Sequence, residues 1–291
     1  MVIMKILFVG VFDEYKKSTN TSQLLSLMRC GHKVVGYNYR SKAQSIGNEN
    51  RDNHLIDTIR SRDFDLVLFS KCNVVSYKVF SEAKKYSKTC LWFMDPIQTY
   101  DEEMRKKTEL VSYFCCDKKN VLDSAIQINK NSFHVCEGYD ENTDKPHDFE
   151  KEYDVGFIGN LYGERLSKIK KVNRQVKIIN NAYGDRHAVE VSKTLINLNF
   201  CTDSGASDRV YKIMAAGGFL LSDDWEGREN DFTDKEHLII FKDVSDLNEK
   251  IEYYLNNKEE AKAIALSGSQ AVKKFSRKNW ASRIVGLYNE V

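Results

Sequence analysis

The chain has 291 residues, of which 42% are hydrophobic and 30% charged, and its formal net charge is +2. This length favours two domains, each large enough for a buried core, and the composition excludes a disordered chain. Basic and acidic residues are balanced in both halves, which excludes a long basic arm but leaves room for a local basic stripe that contacts nucleic acid.

Nothing in the sequence predicts a membrane span, a disulfide or a metal site. No apolar run reaches the ~18 residues that cross a bilayer, and the opening MVIMKILFVG leads into a strand pattern rather than a signal peptide. The 7 cysteines are odd in number and lack C-x-x-C spacing, and the 6 histidines are scattered. We therefore expect a cytoplasmic protein with buried free thiols and no bound metal.

The first half of the chain predicts a parallel sheet. Apolar, β-branched and aromatic runs recur with helix-like stretches between them, and the runs do not alternate with polar residues: MKILFV, HKVVGY, FDLVLFS, KTCLWFM, VSYFCC and SFHVC. Strands of this kind are buried on both faces, as in a parallel sheet that helices cover. The stretch TSQLLSLMRCGHK has helical spacing and contains Gly31 where a helix would end.

A polar segment over 138–152, GYDENTDKPHDFEKE, is the predicted linker, and the pattern restarts after it. Strands are predicted in YDVGFIGN, QVKIIN, TLINLNF, GFLLSD and EHLIIF, with helices in GERLSKIKKVNR, in SDRVYKIMAAG and over 245–290. Two such sets predict the α/β class, with two Rossmann-like domains over 1–140 and 153–275 that face each other across a cleft.

Asp95 follows the buried strand CLWFM and precedes Pro96, which cannot continue the hydrogen-bond ladder. A carboxylate at that edge of the sheet can accept a proton from an attacking hydroxyl, so Asp95 is a candidate general base. A helix N-cap or turn aspartate is the structural alternative.

The strand in DVGFIGNLYGER ends at Gly159, and Asn160, a second glycine and Arg165 follow it. A glycine at this position lets a ligand approach the backbone, and the N-terminus of the next helix can hold a phosphate. The sequence contains neither G-x-G-x-x-G nor a P-loop motif, which disfavours nicotinamide dehydrogenases and P-loop enzymes.

The helix in SDRVYKIMAAGG carries Arg209 and Lys212 in its first turns, where the helix dipole disfavours each cation by ~0.3–1 kcal/mol. A bound anion would reverse that cost, because free amides and both side chains would converge on it. The alternative is that the two side chains point into water or pair with Asp203 and Asp208. As an exposed cation, Arg209 is expected to contribute little to stability, so Arg209→Ala should retain the fold.

Gly217 and Gly218 close this helix. A C-cap followed by a tight passage into the next strand explains both glycines without a ligand.

The segment 165–177, RLSKIKKVNRQVK, holds 6 cations and no acid. It is predicted as a solvated helix face, with contact to nucleic acid as the sharper alternative.

Five stretches of the second half, taken in order, resemble the C-terminal domain of GT-B glycosyltransferases: VGFIGNLYGERL, LINLNF, SDRVYKIMAAGGFLLSD, FTDKEHLIIFKDVSDLNEKIEYYLNNKEEAKAIALSG and FSRKNWASRIVGLY. The closest group is the spore-maturation-type proteins, similar to glycosyltransferase families 1 and 4. The resemblance covers about residues 153–291, whereas the first half matches loosely. It implies a nucleotide-sugar donor on the second domain, with UDP as the expected nucleotide, an acceptor on the first domain and no bound metal. Residues 276–291 would form a helix that crosses back to the first domain.

The resemblance also implies site residues. Carried over by position, the donor-binding residues are Gly159, Asn160, Arg165, Ser207, Arg209, Lys212, Gly217 and Gly218. Gly10 and Asp13 fall on the acceptor side, and Arg209 is expected to stabilise the leaving diphosphate. Asp95 would be the base if the anomeric centre is inverted and would orient the acceptor if it is retained. The family usually has a glutamate in place of Lys212 to bind the ribose, and an ammonium offers no such acceptor.

Several alternatives remain for the acceptor and for catalysis itself. One candidate acceptor is a hydroxymethylated DNA base, flipped out of the duplex by a phage-type enzyme in the host cytoplasm. The other candidate acceptors are a saccharide, a protein and a small metabolite. A non-catalytic GT-B-like module that binds a nucleotide is the alternative outside enzymes, and Lys212 is its best support. A nucleotide-sugar epimerase or dehydrogenase is disfavoured by the missing dinucleotide motif.

Overall fold

A computed structural model describes residues 2–13, 18–201 and 205–291. The chain divides into two compact units. The first comprises Met1–Glu137 together with Arg277–Val291, and the second comprises Gly138–Ser276. Among the described residues, every helix is too short or too polar to cross a bilayer.

The first unit is built on a parallel sheet with strand order β2-β1-β3-β4-β5-β6. Its strands are β1 (Lys5–Gly10), β2 (Lys33–Asn38), β3 (Leu66–Ser70), β4 (Lys88–Phe93), β5 (Tyr113–Cys116) and β6 (Ser132–His134). Its first six helices are α1 (Thr19–Arg29), α2 (Tyr39–Ile46), α3 (Asn48–Arg60), α4 (Tyr77–Ala83), α5 (Glu102–Leu110) and α6 (Lys119–Ile126).

Both faces of this sheet are buried, which explains why its strands are apolar throughout. Leu7 and Val9 of β1 belong to one hydrophobic core, and Ile6 and Phe8 belong to the other. The same alternation holds along β3, β4 and β5. The prediction of a covered parallel sheet is therefore confirmed.

The second unit contains a parallel sheet with strand order β11-β10-β9-β7-β8. Its strands are β7 (Tyr153–Ile158), β8 (Val176–Ile179), β9 (Thr194–Asn199), β10 (Phe219–Asp223) and β11 (Ile239–Phe241). Its helices are α7 (Arg165–Ile169), α8 (Asp185–Lys193), α9 (Asp208–Ala215), α10 (Val244–Asn256) and α11 (Lys258–Ala271). The α/β class with two Rossmann-like units is confirmed.

The last helix, α12 (Arg277–Leu287), is part of the first unit. Trp280 and Ile284 lie in the same hydrophobic core as Trp92, and the hydroxyl of Tyr113 donates a hydrogen bond to the carbonyl of Ile284 at 3.0 Å. This helix therefore covers one face of the first sheet.

The helix predicted over GERLSKIKKVNR is much shorter in the structure, because α7 ends at Ile169. Beyond it, the side chain of Asn248 in α10 accepts from the amide of Asn173 at 2.8 Å and donates to the carbonyl of Lys171 at 3.2 Å. These two bonds hold the chain in a turn, so the cations after Ile169 do not lie on a helix face.

Candidate functional site

Each sheet has a point at which its strand order reverses. In the second unit the chain passes from β7 to β8 on one side and then places β9 on the other. Doubly wound sheets bind ligands beside the carboxyl ends of the strands at such a point. Gly159 directly follows β7, and Asn199 is the last residue of β9.

Arg209, in the first turn of α9, is buried at this reversal point. Its Nε donates to the carbonyl of Ile158 at 2.6 Å, and its Nη1 donates to Oδ1 of Asn199 at 2.9 Å. Its guanidinium also lies 4.7 Å from the centre of the Phe157 ring. The expectation of an exposed cation is thus wrong, since only 9% of the residue is accessible. The side chain bends inward because these partners replace the water that it gives up.

Gly159 makes room for this guanidinium. Its φ of +142° lies in the region that favours glycine, and a Cβ added there would stand 2.5 Å from Nη2 of Arg209. Nη2 donates no hydrogen bond to any residue that the structure describes. The glycine is therefore needed for the arginine to occupy its position over the end of β7.

Arg165, the first residue of α7, is a second buried arginine at the same point. Its Nη1 donates to the carbonyl of Asn160 at 3.1 Å, and its Nε and Nη2 donate to the carbonyl of Phe200 at 3.3 and 3.2 Å. Its guanidinium lies 6.0 Å from the centre of the Phe157 ring, so both arginines approach one aromatic side chain. The loop after β7 is in this way tied to the end of β9.

The two arginines create an excess of buried positive charge. Neither forms an ion pair with an acidic side chain within the part of the chain that the structure describes. Burial, and secondly the nearby Arg165, lowers the pKa of Arg209 to about 10, and burial lowers the pKa of Arg165 as well. Both remain charged at neutral pH. Two like charges held close together are an arrangement that a bound anion stabilises.

Asn199 is a residue of this site that the sequence did not single out. Its Oδ1 accepts from Arg209 and from Oγ of Ser207, the latter at 3.1 Å, and its Nδ2 donates to Oγ of Ser222 at 2.9 Å. Ser207 is the N-cap residue of α9, yet its side chain caps no amide of that helix. An asparagine inside the apolar run TLINLNF was the available signal, because a fully buried amide must have partners.

Asn160 lies in the loop after β7, where its Nδ2 donates to the hydroxyl of Tyr162 at 3.3 Å. The side chain is exposed. The structure therefore brings Gly159, Asn160 and Arg165 together beside Arg209, as the sequence predicted for one site, while their contact with a donor stays a prediction.

Lys212 forms an ion pair with Asp208, one turn earlier in α9. This is one of the two pairings that the sequence offered as an alternative to anion binding; the other acid, Asp203, lies outside the described residues. Burial, and next the charge of Lys212, lowers the pKa of the neighbouring His187 to about 3. The role of Lys212 toward a donor stays a prediction.

Gly217 and Gly218 have structural roles. The amide of Gly217 donates to the carbonyl of Met214 and that of Gly218 to the carbonyl of Ile213, with φ of +73° at Gly217, which is a Schellman helix end. A Cβ at Gly218 would stand 2.5 Å from Cγ1 of Val191. The C-cap explanation accounts for both glycines, and their assignment to donor binding gains no support from these contacts.

Several cations of the basic segment 165–177 are buried or paired with acidic residues of the same unit. Arg165 is buried, Lys168 lies 3.4 Å from Asp223, and Arg174 pairs with Glu252 at 2.5 Å. The prediction of a solvated helix face is wrong for Arg165. The same contacts weaken the case for a nucleic-acid stripe.

Asp95 lies in the first unit, beside the carboxyl end of β4. Its Oδ1 accepts a hydrogen bond from Nζ of Lys71 at 2.5 Å. The short 3₁₀ turn that follows has Pro96 as its N-cap and no side-chain cap, so Asp95 is not used as a cap. Both members of the ion pair are about one-third exposed, at 33% for Lys71 and 31% for Asp95.

Of the two residues expected on the acceptor side, Gly10 ends β1 and packs against Asn20, since a Cβ there would stand 2.8 Å from its Nδ2. The amide of Asp13 donates to Oγ1 of Thr21 at 3.2 Å. Asn20 and Asp95 line one pocket of about 260 Å³, and Asp13 is absent from its described lining.

Within the described residues, no three or more His, Cys, Asp or Glu side chains cluster in a way that could hold a metal ion.

Comparison with known families and structures agrees with this architecture. Residues 147–287 match a family model described as glycosyl transferase-like. No curated protein sequence matches the chain.

Solved structures match over nearly the whole chain. Anabaena HepE in complex with UDP and glucose is 13% identical, with a TM-score of 0.70, and covers 99% of this chain and 100% of that one. Sucrose-phosphate synthase from Thermosynechococcus elongatus is 9% identical, with a TM-score of 0.71 and coverage of 99% and 98%. A DNA-modifying β-glucosyltransferase is 12% identical, with a TM-score of 0.66 and coverage of 98% and 100%. The chain has the GT-B fold, residues 147–287 are glycosyltransferase-like in sequence, and the resemblance to GT-B glycosyltransferases is confirmed.

Proposed function

We propose that the protein is a glycosyltransferase that moves a sugar from a nucleotide sugar, with UDP as the nucleotide, to a hydroxyl acceptor. The observation that carries the proposal is the pair of buried arginines, Arg165 and Arg209, at the strand reversal of the second unit, for which the described residues supply no acidic partner. A diphosphate carries about two negative charges and would supply the missing counter-charge. Anabaena HepE and the DNA-modifying β-glucosyltransferase were both crystallised with UDP or a UDP sugar, which supports the choice of nucleotide.

The reaction transfers a glycosyl group. An acceptor oxygen forms a bond to the anomeric carbon of the sugar, and the bond from that carbon to the diphosphate oxygen breaks. The electron pair leaves with the diphosphate, whose charge grows as the bond breaks. In this proposal Arg209 stabilises that charge, which is supported by its Nη2 lying over Gly159 with no hydrogen-bond partner among the described residues.

The acceptor proton needs a base, and Asp95 is the proposed group if the anomeric centre is inverted. If the configuration is retained, Asp95 orients the acceptor instead. In either case Lys71 holds the carboxylate through their 2.5 Å hydrogen bond.

DNA is the second candidate acceptor, and the full-length similarity to a DNA-modifying glucosyltransferase favours it. Binding to duplex DNA through several phosphates would weaken steeply between ~50 and 200 mM salt. Duplex binding without that dependence, or no duplex binding, would remove DNA from consideration.

The proposal is tested by UDP calorimetry and by turnover with a panel of UDP, GDP and other activated sugars. Arg209→Lys keeps a charge but loses the forked geometry, so UDP affinity should fall by about tenfold or more. Arg174→Lys is the matched control, because Arg174 pairs with Glu252 on the surface of the same unit. Failure of the wild-type protein to bind UDP would refute the proposal. UDP binding without turnover of any donor would instead indicate the non-catalytic module.

A further inference from the structure

The first unit has a pocket at its own strand reversal. The strand order β2-β1-β3 places the reversal between β1 and β3. The pocket of about 260 Å³ is lined there by Val11 after β1, by Ser70 and Lys71 at the end of β3, and by Met94 and Asp95 after β4. Resting on the proposed function, we propose that this pocket binds one neutral sugar ring as the glycosyl acceptor.

The chemistry of the pocket wall is that of a polyol site. The polar groups are hydroxyls, an amide and four charged groups: Ser18, Thr19, Asn20, Arg40, Ser70, Lys71, Asp95 and Glu137. Two cations and two carboxylates cancel, so the described lining favours neither an anionic nor a cationic ligand. Tyr39 is the aromatic residue of the described lining, and it is only 1% exposed. A flipped nucleobase needs a stacking face, which a buried tyrosine does not offer.

Asn20 provides a fixed donor in this wall. The residue is 93% buried, being 7% exposed, and Oγ of Ser70 donates to its Oδ1 at 2.7 Å. Its Nδ2 stands over Gly10 and has no hydrogen-bond partner among the described residues. This amide group lines the pocket, where a sugar hydroxyl oxygen could accept its hydrogen bond.

Lys71 and Asp95 provide a donor and an acceptor side by side. Lys71 and Cys72 both adopt left-handed backbone conformations, with φ of +58° and +57°. Such conformations in residues other than glycine persist only where the surroundings hold them.

Two fully buried cations hold this turn. Nζ of Lys107 donates to the carbonyls of Cys72 and Asn73 at 3.2 and 2.8 Å, and Nη2 of Arg51 donates to the carbonyl of Val74 at 2.7 Å. These bonds hold the backbone that directly follows Lys71, whose side chain lines the pocket. Because each sugar hydroxyl both donates and accepts, adjacent hydroxyls can bridge this ammonium and carboxylate.

Saturation-transfer NMR on the full chain tests the proposal without any donor. The probes are the methyl glycosides of glucose, galactose and mannose, with glucuronic acid, glucose 6-phosphate and 5-hydroxymethyl-2′-deoxycytidine as competitors of other chemistry. We expect at least one methyl glycoside to bind, with its affinity reduced about tenfold or more in Lys71→Met and in Asn20→Ala. Met retains a Cβ, so the backbone cost at residue 71 is unchanged. Lys85→Met, at a surface pair with Glu82, is the control and should bind as the wild type does.

The outcomes separate this inference from the proposed function. UDP affinity, measured on the same variants, should stay unchanged, since Lys71 and Asn20 belong to the first unit. Where the wild type binds UDP but no methyl glycoside, or where Lys71→Met and Asn20→Ala bind the sugar as well as Lys85→Met does, the sugar site is refuted and the transferase proposal stands. Preferential binding of an acidic sugar or of the hydroxymethylated nucleoside would also overturn it. A sugar that binds to a protein unable to bind UDP would refute the proposed function alone.

Discussion

The strand reversals of the two units differ in whether their buried or half-buried cations have acidic partners. At the reversal of the second unit, Arg165 and Arg209 are buried without an acidic partner in the described chain. At the reversal of the first unit, the cation Lys71 is already paired with Asp95. Within the described residues, the same topology thus leaves the charge of one position unpaired and that of the other balanced. Charge compensation, rather than fold, distinguishes an anion site from a site for a neutral polar ligand.

The largest effect is expected in the first unit, from removing the carboxylate that pairs with Lys71. Asp95→Asn removes the charge that balances Lys71 and the proposed proton acceptor. If Asp95 is the base, transfer should fall by about 10²–10⁴-fold while UDP affinity is retained. Steady-state kinetics together with UDP calorimetry check this, and undiminished turnover would remove Asp95 from the base role.

In the second unit, the sharpest test is a substitution at Gly159, which displaces Arg209. Gly159→Ala would place a Cβ 2.5 Å from Nη2 of Arg209, so the guanidinium must move. UDP affinity should fall by about tenfold or more, because a displaced arginine loses its hydrogen bond to phosphate.

Gly163→Ala is the control for that substitution, since Gly163 also has a positive φ, +57°, but no atom within 4 Å of the added Cβ. This substitution should lower the free energy of unfolding only by the backbone strain, about 1 kcal/mol. Equal UDP affinities in the two alanine variants would show that the position of Arg209 does not govern UDP binding.

Gly218→Ala tests whether the helix-end glycines belong to the site. The added Cβ would stand 2.5 Å from Val191, and overpacking of this kind costs about 1–3 kcal/mol of unfolding free energy. UDP affinity, corrected for the folded fraction, should not change. A specific loss of UDP binding in a folded variant would return Gly218 to the donor site.

The smallest expected effect is the contribution of His187 to the pH dependence of stability. Burial, with a contribution from Lys212, lowers its pKa from 6.5 to about 3, so the unfolded chain takes up a proton that the folded chain refuses. This stability is present above pH 6.5 and is lost as the pH falls towards 3, at about 1.4 kcal/mol per pH unit. Urea unfolding at several pH values should show a shallower acid loss in His187→Gln than in the wild type, and parallel curves would contradict the assignment.

The sequence was sufficient for the fold because the apolar runs of a doubly covered sheet are long and unbroken. It failed on the extent of α7, since the turn there is fixed by Asn248, a residue 75 positions from Asn173. Distant contacts of this kind leave no local periodicity.

For the site, the sequence grouped Gly159, Arg165 and Arg209 correctly in space but placed Arg209 in solvent. Its hydrogen-bond partners are a strand carbonyl and Asn199, and neither is visible as a partner before the chain is folded. Asp95 was found from its place after a strand, whereas Lys71 was missed. Its presentation depends on a backbone conformation held by the buried Lys107 and Arg51.

The first unit is formed from two separate stretches of chain, and these stretches are synthesised at different times. All of Gly138–Ser276 leaves the ribosome before Arg277–Leu287 does, so the contiguous unit can fold while the other still lacks a helix. Until that helix arrives, the nascent sheet exposes Phe8 and Trp92, which Trp280 later contacts. We therefore expect the interrupted unit to complete its core last, and a chain stalled before residue 277 should be cleaved by proteases in this unit faster than the full chain.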